Sequence, residues 1–362
     1  MRPARRRYDW AVSNPNHTRT PPDPVIVAEF GLAPESLRPV TTGHINATWL
    51  GRDKQQRPLV LQRVNRVFSA LVNRDIDAVT RHLRAKGIAT PVLVPAPGGA
   101  LWLERAGAVW RTLSYIDGST HEVVADPARA GEAGRVLAEF HLGLADLTHR
   151  FENVRLGVHD TARHLETLSE TLGAQSKHPR FEEVAALAAE ILLLAAELEP
   201  LPMAPDRIVH GDPKISNVMF DRRTDKALCL IDLDTLAEMP VALELGDALR
   251  SWCNPRAEDA AGAGLSSALF DAATAAYGRV ARGWLEPAEW RAIPAATLTV
   301  AVELSARFCA DALHERYFDW DRDRYASASE HNLARARGQL AVARAVRAAL
   351  PDLQAIVARN FA

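Results

Sequence analysis

Apolar positions along the chain change their period near residue 116. Before it, Asn46–Leu50 and Pro58–Val64 read as strands around the polar turn Gly51-Arg52-Asp53-Lys54-Gln55-Gln56. That is a hairpin with a loop longer than the two-residue kind. From Asn73 to Lys86, Ile76, Val79, Thr80 and Leu83 recur at helical spacing, and Gly87 supplies a stop. The Pro/Gly-rich segment 91–99 reads as a loop. A second strand pair follows, Ala100–Arg105 and Ala108–Tyr115, joined through Gly107.

After Ile116-Asp117-Gly118-Ser119 helices dominate. Asp126 to Leu147 carries Ala133, Val136, Leu137, Phe140 and Leu144 on one face, and Phe181 to Leu198 is a second helix. From Ala257 onward nearly everything reads as helix, punctuated by Gly283, Pro287, Pro294 and Pro351. One interval differs: in Arg207 to Asp234, short apolar runs separated by turn residues predict a small β insertion. The pattern predicts an α+β fold of two unequal lobes. A tail (1–22) precedes a β-rich lobe (23–113), a hinge (114–118) and a larger helical lobe (119–362), with a ligand cleft between the lobes.

Composition narrows the partners. The 362 residues are 48% hydrophobic and 24% charged, as in globular proteins. The net charge of -2 gives no basic excess for gripping a phosphate backbone, and the one basic cluster, Arg2 to Arg7, reads as a solvated tail. Nucleic acid is therefore not an expected partner. Cys229, Cys253 and Cys309 are too scattered for a disulfide framework or a metal site, so a reducing, cytoplasmic setting is expected. Tyr8 to Pro15 holds no apolar core of a signal peptide. Val184 to Leu198, interrupted by Glu190 and Glu197, is too short and too charged to span a bilayer, so no membrane partner is expected.

The chemistry concentrates in Val209-His210-Gly211-Asp212-Pro213-Lys214-Ile215-Ser216-Asn217-Val218-Met219-Phe220-Asp221, followed by Leu230-Ile231-Asp232-Leu233-Asp234. Phosphoryl transfer needs a positioned γ-phosphoryl, cationic neutralisation and an acid to orient the attacking hydroxyl. Mg²⁺ needs only one or two protein oxygens beside phosphate oxygens and water. An acid in a turn, an amide five residues later and a second acid across a short hairpin supply those groups. Asp and Asn in turns are also common as purely structural Asx-turn residues; two motifs in this order and spacing outweigh that reading.

His210-Gly211-Asp212 with Asn217 resembles the catalytic loop of the aminoglycoside phosphotransferase and choline kinase superfamily, and Ile231-Asp232-Leu233-Asp234 resembles its metal segment. The resemblance implies a protein-kinase-like fold, ATP and Mg²⁺ as cofactors, Asp212 as the base, and Asn217 and Asp232 as metal ligands with Asp234 assisting. It also implies a nucleotide site in the first lobe. Thr41 to Thr48, with Gly43, His44 and Asn46, stands where a loop covers the phosphates. Arg63, at the end of the strand Leu59–Val64, is the expected phosphate cation, with Asp75 or Asp77 as its acidic partner. Tyr115 and Ile116 stand where adenine docks.

For the acceptor, Glu244, Asp247 and Arg250 sit at helical spacing beyond the metal segment. The stretches around Arg307 and His331, with Gly43-His44-Ile45-Asn46 and Leu61-Gln62-Arg63-Val64-Asn65, resemble the N-acetylhexosamine 1-kinase branch. That branch implies a sugar hydroxyl as acceptor, with Asp247, Arg250 and Arg307 as substrate contacts. Two alternatives stay open. An aminoglycoside or choline-type acceptor would need an acidic pocket or an aromatic cage, for which Trp252, Tyr317, Phe318 and Trp320 are candidates. A non-catalytic nucleotide-binding protein would be expected to lack Asp212, Asn217 or Asp232, and all three are present.

Overall fold

Five antiparallel strands form the N-terminal sheet in the order β1-β2-β3-β5-β4. They are β1 (Arg38–Pro39), β2 (Ala47–Arg52), β3 (Pro58–Val64), β4 (Trp102–Arg105) and β5 (Ala108–Ser114). The structure is a computed structural model and describes residues 21–40, 46–154 and 157–362. Alternation gives the sheet two faces. Trp49, Leu59, Leu61 and Trp110 point to one side, where they bury Ile26, Val27 and Phe30 at helix α1 (Pro24–Glu29). Trp49 and Trp110 stack there at 5.7 Å. Gln62 and Arg111, paired across β3 and β5, point to the other side.

Helix α2 (Val72–Ala85) lies one residue from the interval that periodicity predicts, and buries Val72, Ile76, Val79 and Leu83 in the main core. That core extends through the helical region: α3 (Pro127–Leu144), α4 (Thr161–Ala174), α5 (Phe181–Ala195), α6 (Val241–Trp252), α7 (Ser267–Val280), α8 (Pro287–Arg291), α9 (Ile293–His314) and α10 (Ala328–Phe361). Asp126 caps α3 by accepting the Arg129 N–H at 3.0 Å. Gly134 of α3 lets α7 approach, since a Cβ there would stand 2.2 Å from the Ala273 carbonyl oxygen.

Helix α9 packs against α4, α5, α6 and α10. By length and composition it would pass for a membrane span, but 89% of its apolar window is buried inside the fold. The expected punctuation needs one correction: Pro287 and Pro294 start helices, whereas Pro351 lies inside α10, which runs through it. The β insertion exists as two short antiparallel pairs, β6 (Asp206–Val209) with β9 (Ala237–Pro240), and β7 (Val218–Phe220) with β8 (Ala227–Leu230).

The connection from β5 docks on β7. Ser119 and Phe220 exchange two backbone hydrogen bonds of 2.8 Å, and Gly118 passes so near Met219 that a Cβ would meet its side chain at 2.6 Å. Tyr115 and Ile116 are thereby fixed beside the hairpin that carries Asn217 and Asp232.

Candidate active site

The catalytic loop leaves β6 through a turn that only glycine suits. Gly211 has φ +81°, and a Cβ there would lie 2.0 Å from the Thr235 carbonyl oxygen. His210, fully buried, donates from Nε2 to the Ile231 carbonyl at 2.8 Å, and its Nδ1 accepts the Asp212 N–H at 3.3 Å. His210 therefore ties the loop to the segment that carries Asp232 through both ring nitrogens.

One face of α6 supports the loop from below. Glu244 accepts the N–H groups of His210 and Gly211 at 2.9 and 3.0 Å, Ser251 Oγ accepts Ile215 N–H, and Trp252 Nε1 donates to the Pro213 carbonyl at 2.8 Å. Two sequence expectations change here. Glu244 is fully buried beneath the loop and unavailable to a sugar, and Trp252, 1% exposed, cannot form a cage.

Asp212 keeps a partly exposed carboxylate. Its Oδ2 accepts Lys214 Nζ at 2.7 Å and Asn217 Nδ2 at 3.3 Å, while Asn217 Nδ2 also donates to the Asp212 carbonyl at 2.8 Å. Burial alone would raise the Asp212 pKa, but the charge and hydrogen bond of Lys214 outweigh it and hold the carboxyl below its ordinary range. Lys214 loses charge preference to burial, yet the Asp212 and Asp232 charges hold it well above the usual lysine range. The sequence reading gave Lys214 no role, although Asp-Pro-Lys shows it two residues from the acid.

The metal candidates meet at one end of the β7–β8 hairpin. Ile231 N–H donates to the Asn217 carbonyl at 2.9 Å, which continues the Val218–Leu230 pairing and brings Asp232 to Asn217. Asp232 sits in a left-handed turn, φ +64°. Among the described residues, no donor reaches the Asp232 carboxylate within hydrogen-bonding distance. Burial first, then the nearby Asp234 charge, pushes its pKa up to about 6. Its carboxylate oxygens are left open for coordination, so the donor set of Asp232 and the Asn217 side-chain oxygen fits a hard divalent cation.

Asp234, expected with the metal, is bound differently. Arg111 of β5 grips it through two parallel bonds, Nη1 to Oδ1 at 2.6 Å and Nη2 to Oδ2 at 2.8 Å. Asn46 Nδ2 donates to Oδ2 at 2.5 Å. Both charged side chains are 1% exposed. Removing one partner of such a pair typically costs about 3–5 kcal/mol, because a buried charge is left alone. Arg111 also donates to Gln62 Oε1 and Asn73 Oδ1, so β3, β5, α2 and the metal segment meet at one guanidinium.

The expected nucleotide side is corrected accordingly. Arg63 shares the sheet face of Leu59 and Leu61, its guanidinium carbon 5.9 Å from the Trp110 ring centre, because strand alternation gives the opposite face to Gln62. Neither Asp75 nor Asp77 bonds it. Asp75 accepts His149 Nε2 and the N–H groups of Glu152 and Asn153, and Asp77 pairs with Arg81 one turn on. Arg111, a charged residue inside the strand Ala-Val-Trp-Arg-Thr-Leu-Ser, was the available signal for a buried cation. Gly43 and His44 lie outside the described residues.

Beyond Asp212, Asp247 and Arg250 form a buried pair at 2.7 Å, and Arg250 continues to Glu258 at 2.6 Å. Glu258 also faces Arg335 at 3.9 Å. Asp259 accepts Arg324, Tyr325 and His331. Glu303, fully buried, accepts His159 and Thr161 and lies 3.6 Å from Arg307. Arg307 stacks 5.7 Å from both Tyr317 and Phe318. Asp247, Arg250, Glu258 and Arg335 thus form one charge-matched cluster and Glu303 with Arg307 another; Glu258, Glu303 and Arg335 were not expected from sequence, and Glu303 is fully buried.

A two-lobed fold, a loop carrying Asp212 and Asn217, and an acid on the facing hairpin fit a small-molecule phosphotransferase with a hydroxyl acceptor. The model of the phosphotransferase enzyme family matches residues 36–290, and the chain belongs to that family. Solved structures share the fold. An aminoglycoside phosphotransferase from Alicyclobacillus acidocaldarius is 16% identical with TM-score 0.60, covering 93% of this chain and 96% of its own. The microcompartment-associated aminopropanol kinase is 16% identical with TM-score 0.63, covering 91% and 97%. Amicoumacin kinase, solved in complex with AMP-PNP, Ca²⁺ and Ami, is 13% identical with TM-score 0.59, covering 87% and 90%.

Proposed function

We propose that this enzyme transfers the γ-phosphate of ATP to a hydroxyl of a neutral sugar, in the manner of an N-acetylhexosamine 1-kinase. The observation that carries the acceptor class is the charge matching beyond Asp212. Asp247 and Glu258 face Arg250, Asp259 faces Arg324, and Glu303 faces Arg307. A polycation would need unmatched carboxylates. A hydroxyl-rich neutral molecule instead suits a wall of alternating donors and acceptors. The acidic run along α3 offers no polycation site either, since Arg135 pairs with Glu132 and Glu139, and Lys86 with Asp146.

The aromatic rings support the same choice. Arg307 covers Tyr317 and Phe318, Arg322 lies 4.6 Å from the Trp320 ring centre, and Arg335 lies 5.5 Å from that of Phe308. Rings already facing the protein's own cations make a poor cage for a quaternary ammonium.

In this reading the acceptor hydroxyl binds at the free oxygen of Asp212. As its oxygen bonds to the γ-phosphorus and the bond to the β-phosphate oxygen breaks, its proton passes to Asp212. Lys214 holds the carboxylate in place and sets a positive charge beside the transferring group. Asn217 and Asp232 would hold Mg²⁺, which when bound neutralises phosphate charge. Tyr115 and Ile116 border the adenine position, and Gly43 and His44 belong to the phosphate-covering segment. The three buried free thiols fit a reducing, cytoplasmic setting.

The test is ATP consumption measured with N-acetylhexosamines, neutral hexoses, aminoglycosides, amino alcohols and choline. Turnover with a neutral sugar supports the proposal. Turnover confined to the amines would replace it with the activity named for the aminopropanol kinase relative.

A further inference from the structure

The second acid of the metal segment is fully engaged by the opposite lobe. Asp234 Oδ1 meets Arg111 Nη1, and Oδ2 meets both Arg111 Nη2 and Asn46 Nδ2. Asn46 in turn accepts the Asn65 N–H on Oδ1 at 2.9 Å, so its amide spans from the end of β3 to Asp234. Asn46 also lies within Thr41 to Thr48, the segment expected to cover the phosphates. Asp232, two residues before Asp234, has no such partner among the described residues. Two acids of one short motif therefore occupy opposite environments, one saturated by protein donors and one without any among the described residues.

We propose that Asp234 is not a metal ligand but one half of a latch between the lobes, with Arg111 as the positioning residue. Asp232 and Asn217 are then the protein's whole contribution to the cation. The planar guanidinium suits this role, because it fixes both the distance and the angle of a carboxylate, which a lysine ammonium cannot. Its bonds to Gln62 and Asn73 make β3 and α2 move with β5, so the latch sets where the sheet stands over Asp232. The same cluster ties the base of the phosphate-covering segment to the chain two residues beyond the metal carboxylate.

This proposal rests on the phosphotransfer reading above, and the experiment separates the two. Mn²⁺ binding would be measured by electron paramagnetic resonance with a non-hydrolysable ATP analogue, alongside kcat with the accepted sugar. Three proteins are compared with the wild type: Asp232→Asn, Arg111→Lys, and the double variant Arg111→Gln with Asp234→Asn, which leaves no lone buried charge. Asp232→Asn should weaken Mn²⁺ binding about tenfold or more. The double variant should hold Mn²⁺ within about twofold of wild type while kcat falls about tenfold or more. Arg111→Lys, which keeps charge but loses the fork, should bind Mn²⁺ normally and show an intermediate kcat. Loss of Mn²⁺ binding in the double variant, to the degree seen with Asp232→Asn, would make Asp234 a ligand and overturn the latch. Unchanged kcat in the double variant would overturn the positioning role. Normal Mn²⁺ binding by Asp232→Asn would instead overturn the metal assignment beneath it.

Discussion

Glu244 accepts the backbone N–H groups of His210 and Gly211 on separate oxygens, at 2.9 and 3.0 Å, from beneath the catalytic loop. The two bonds fix the peptide planes immediately before Asp212. The helix that supplies the carboxylate also holds Pro213 through Trp252, so the acid is gripped from both sides.

Replacing Glu244 with Gln leaves one oxygen for two donors. The orphaned N–H should cost about 1–3 kcal/mol of stability, since a buried donor loses its partner. Activity should fall with it, because the turn before Asp212 is no longer fixed. Chemical denaturation and kcat for Glu244→Gln check both, and unchanged values would remove Glu244 from the loop's support.

Asp212→Asn should lower kcat by about 10²–10⁴-fold, the range a positioned proton acceptor supplies, with nucleotide affinity little changed. Lys214→Met should act in the same direction through a different route, by removing the charge beside Asp212. Titration with a nucleotide analogue separates binding from turnover in both variants.

The raised pKa of Asp232 makes a pH prediction. Its ordinary value is 3.8 and its folded value about 6, so between those limits the folded protein binds more protons than the unfolded chain. Stability of the metal-free protein attributable to this group is therefore lost as pH rises through that window. Saturating Mg²⁺ competes with the proton and should restore stability at the upper end. Thermal midpoints between about pH 5 and 7, with and without Mg²⁺, test the linkage; Asp232→Asn should flatten this contribution and abolish the Mg²⁺ effect.

Gly134→Ala tests packing away from the chemistry. Its Cβ would meet the Ala273 carbonyl oxygen at 2.2 Å, so α3 and α7 must separate. Overpacking of this kind costs about 1–3 kcal/mol, and a denaturation midpoint unchanged from wild type would show that the helices yield freely.

Much of this organisation is legible in the sequence because it is local. The hairpin, α2, α3 and the two motifs depend on period and on residues a few positions apart. Asp126 before α3 and Gly211 in the catalytic loop are readable for the same reason. What escaped is long-range. The side of β3 on which Arg63 falls is fixed by alternation, but which side faces the cleft is set by α1 burying Trp49 and Trp110. The partner of Asp75 proved to be the chain at 149–153, whose return to α2 no local pattern encodes. The acid–arginine matching behind the proposed neutral acceptor joins residues as distant as Asp259 and Arg324.

The sequence by itself determined the class of chemistry. Asp212, Asn217 and Asp232 lie on one loop and one hairpin, whose short span allows few arrangements. Only the tertiary structure decided the separate fates of Asp232 and Asp234. The two residues look alike in the chain, but one turn of backbone leaves the first without a donor among the described residues and gives the second to Arg111. That guanidinium, 123 positions away in sequence, is brought there by the packing of the sheet on the helical region.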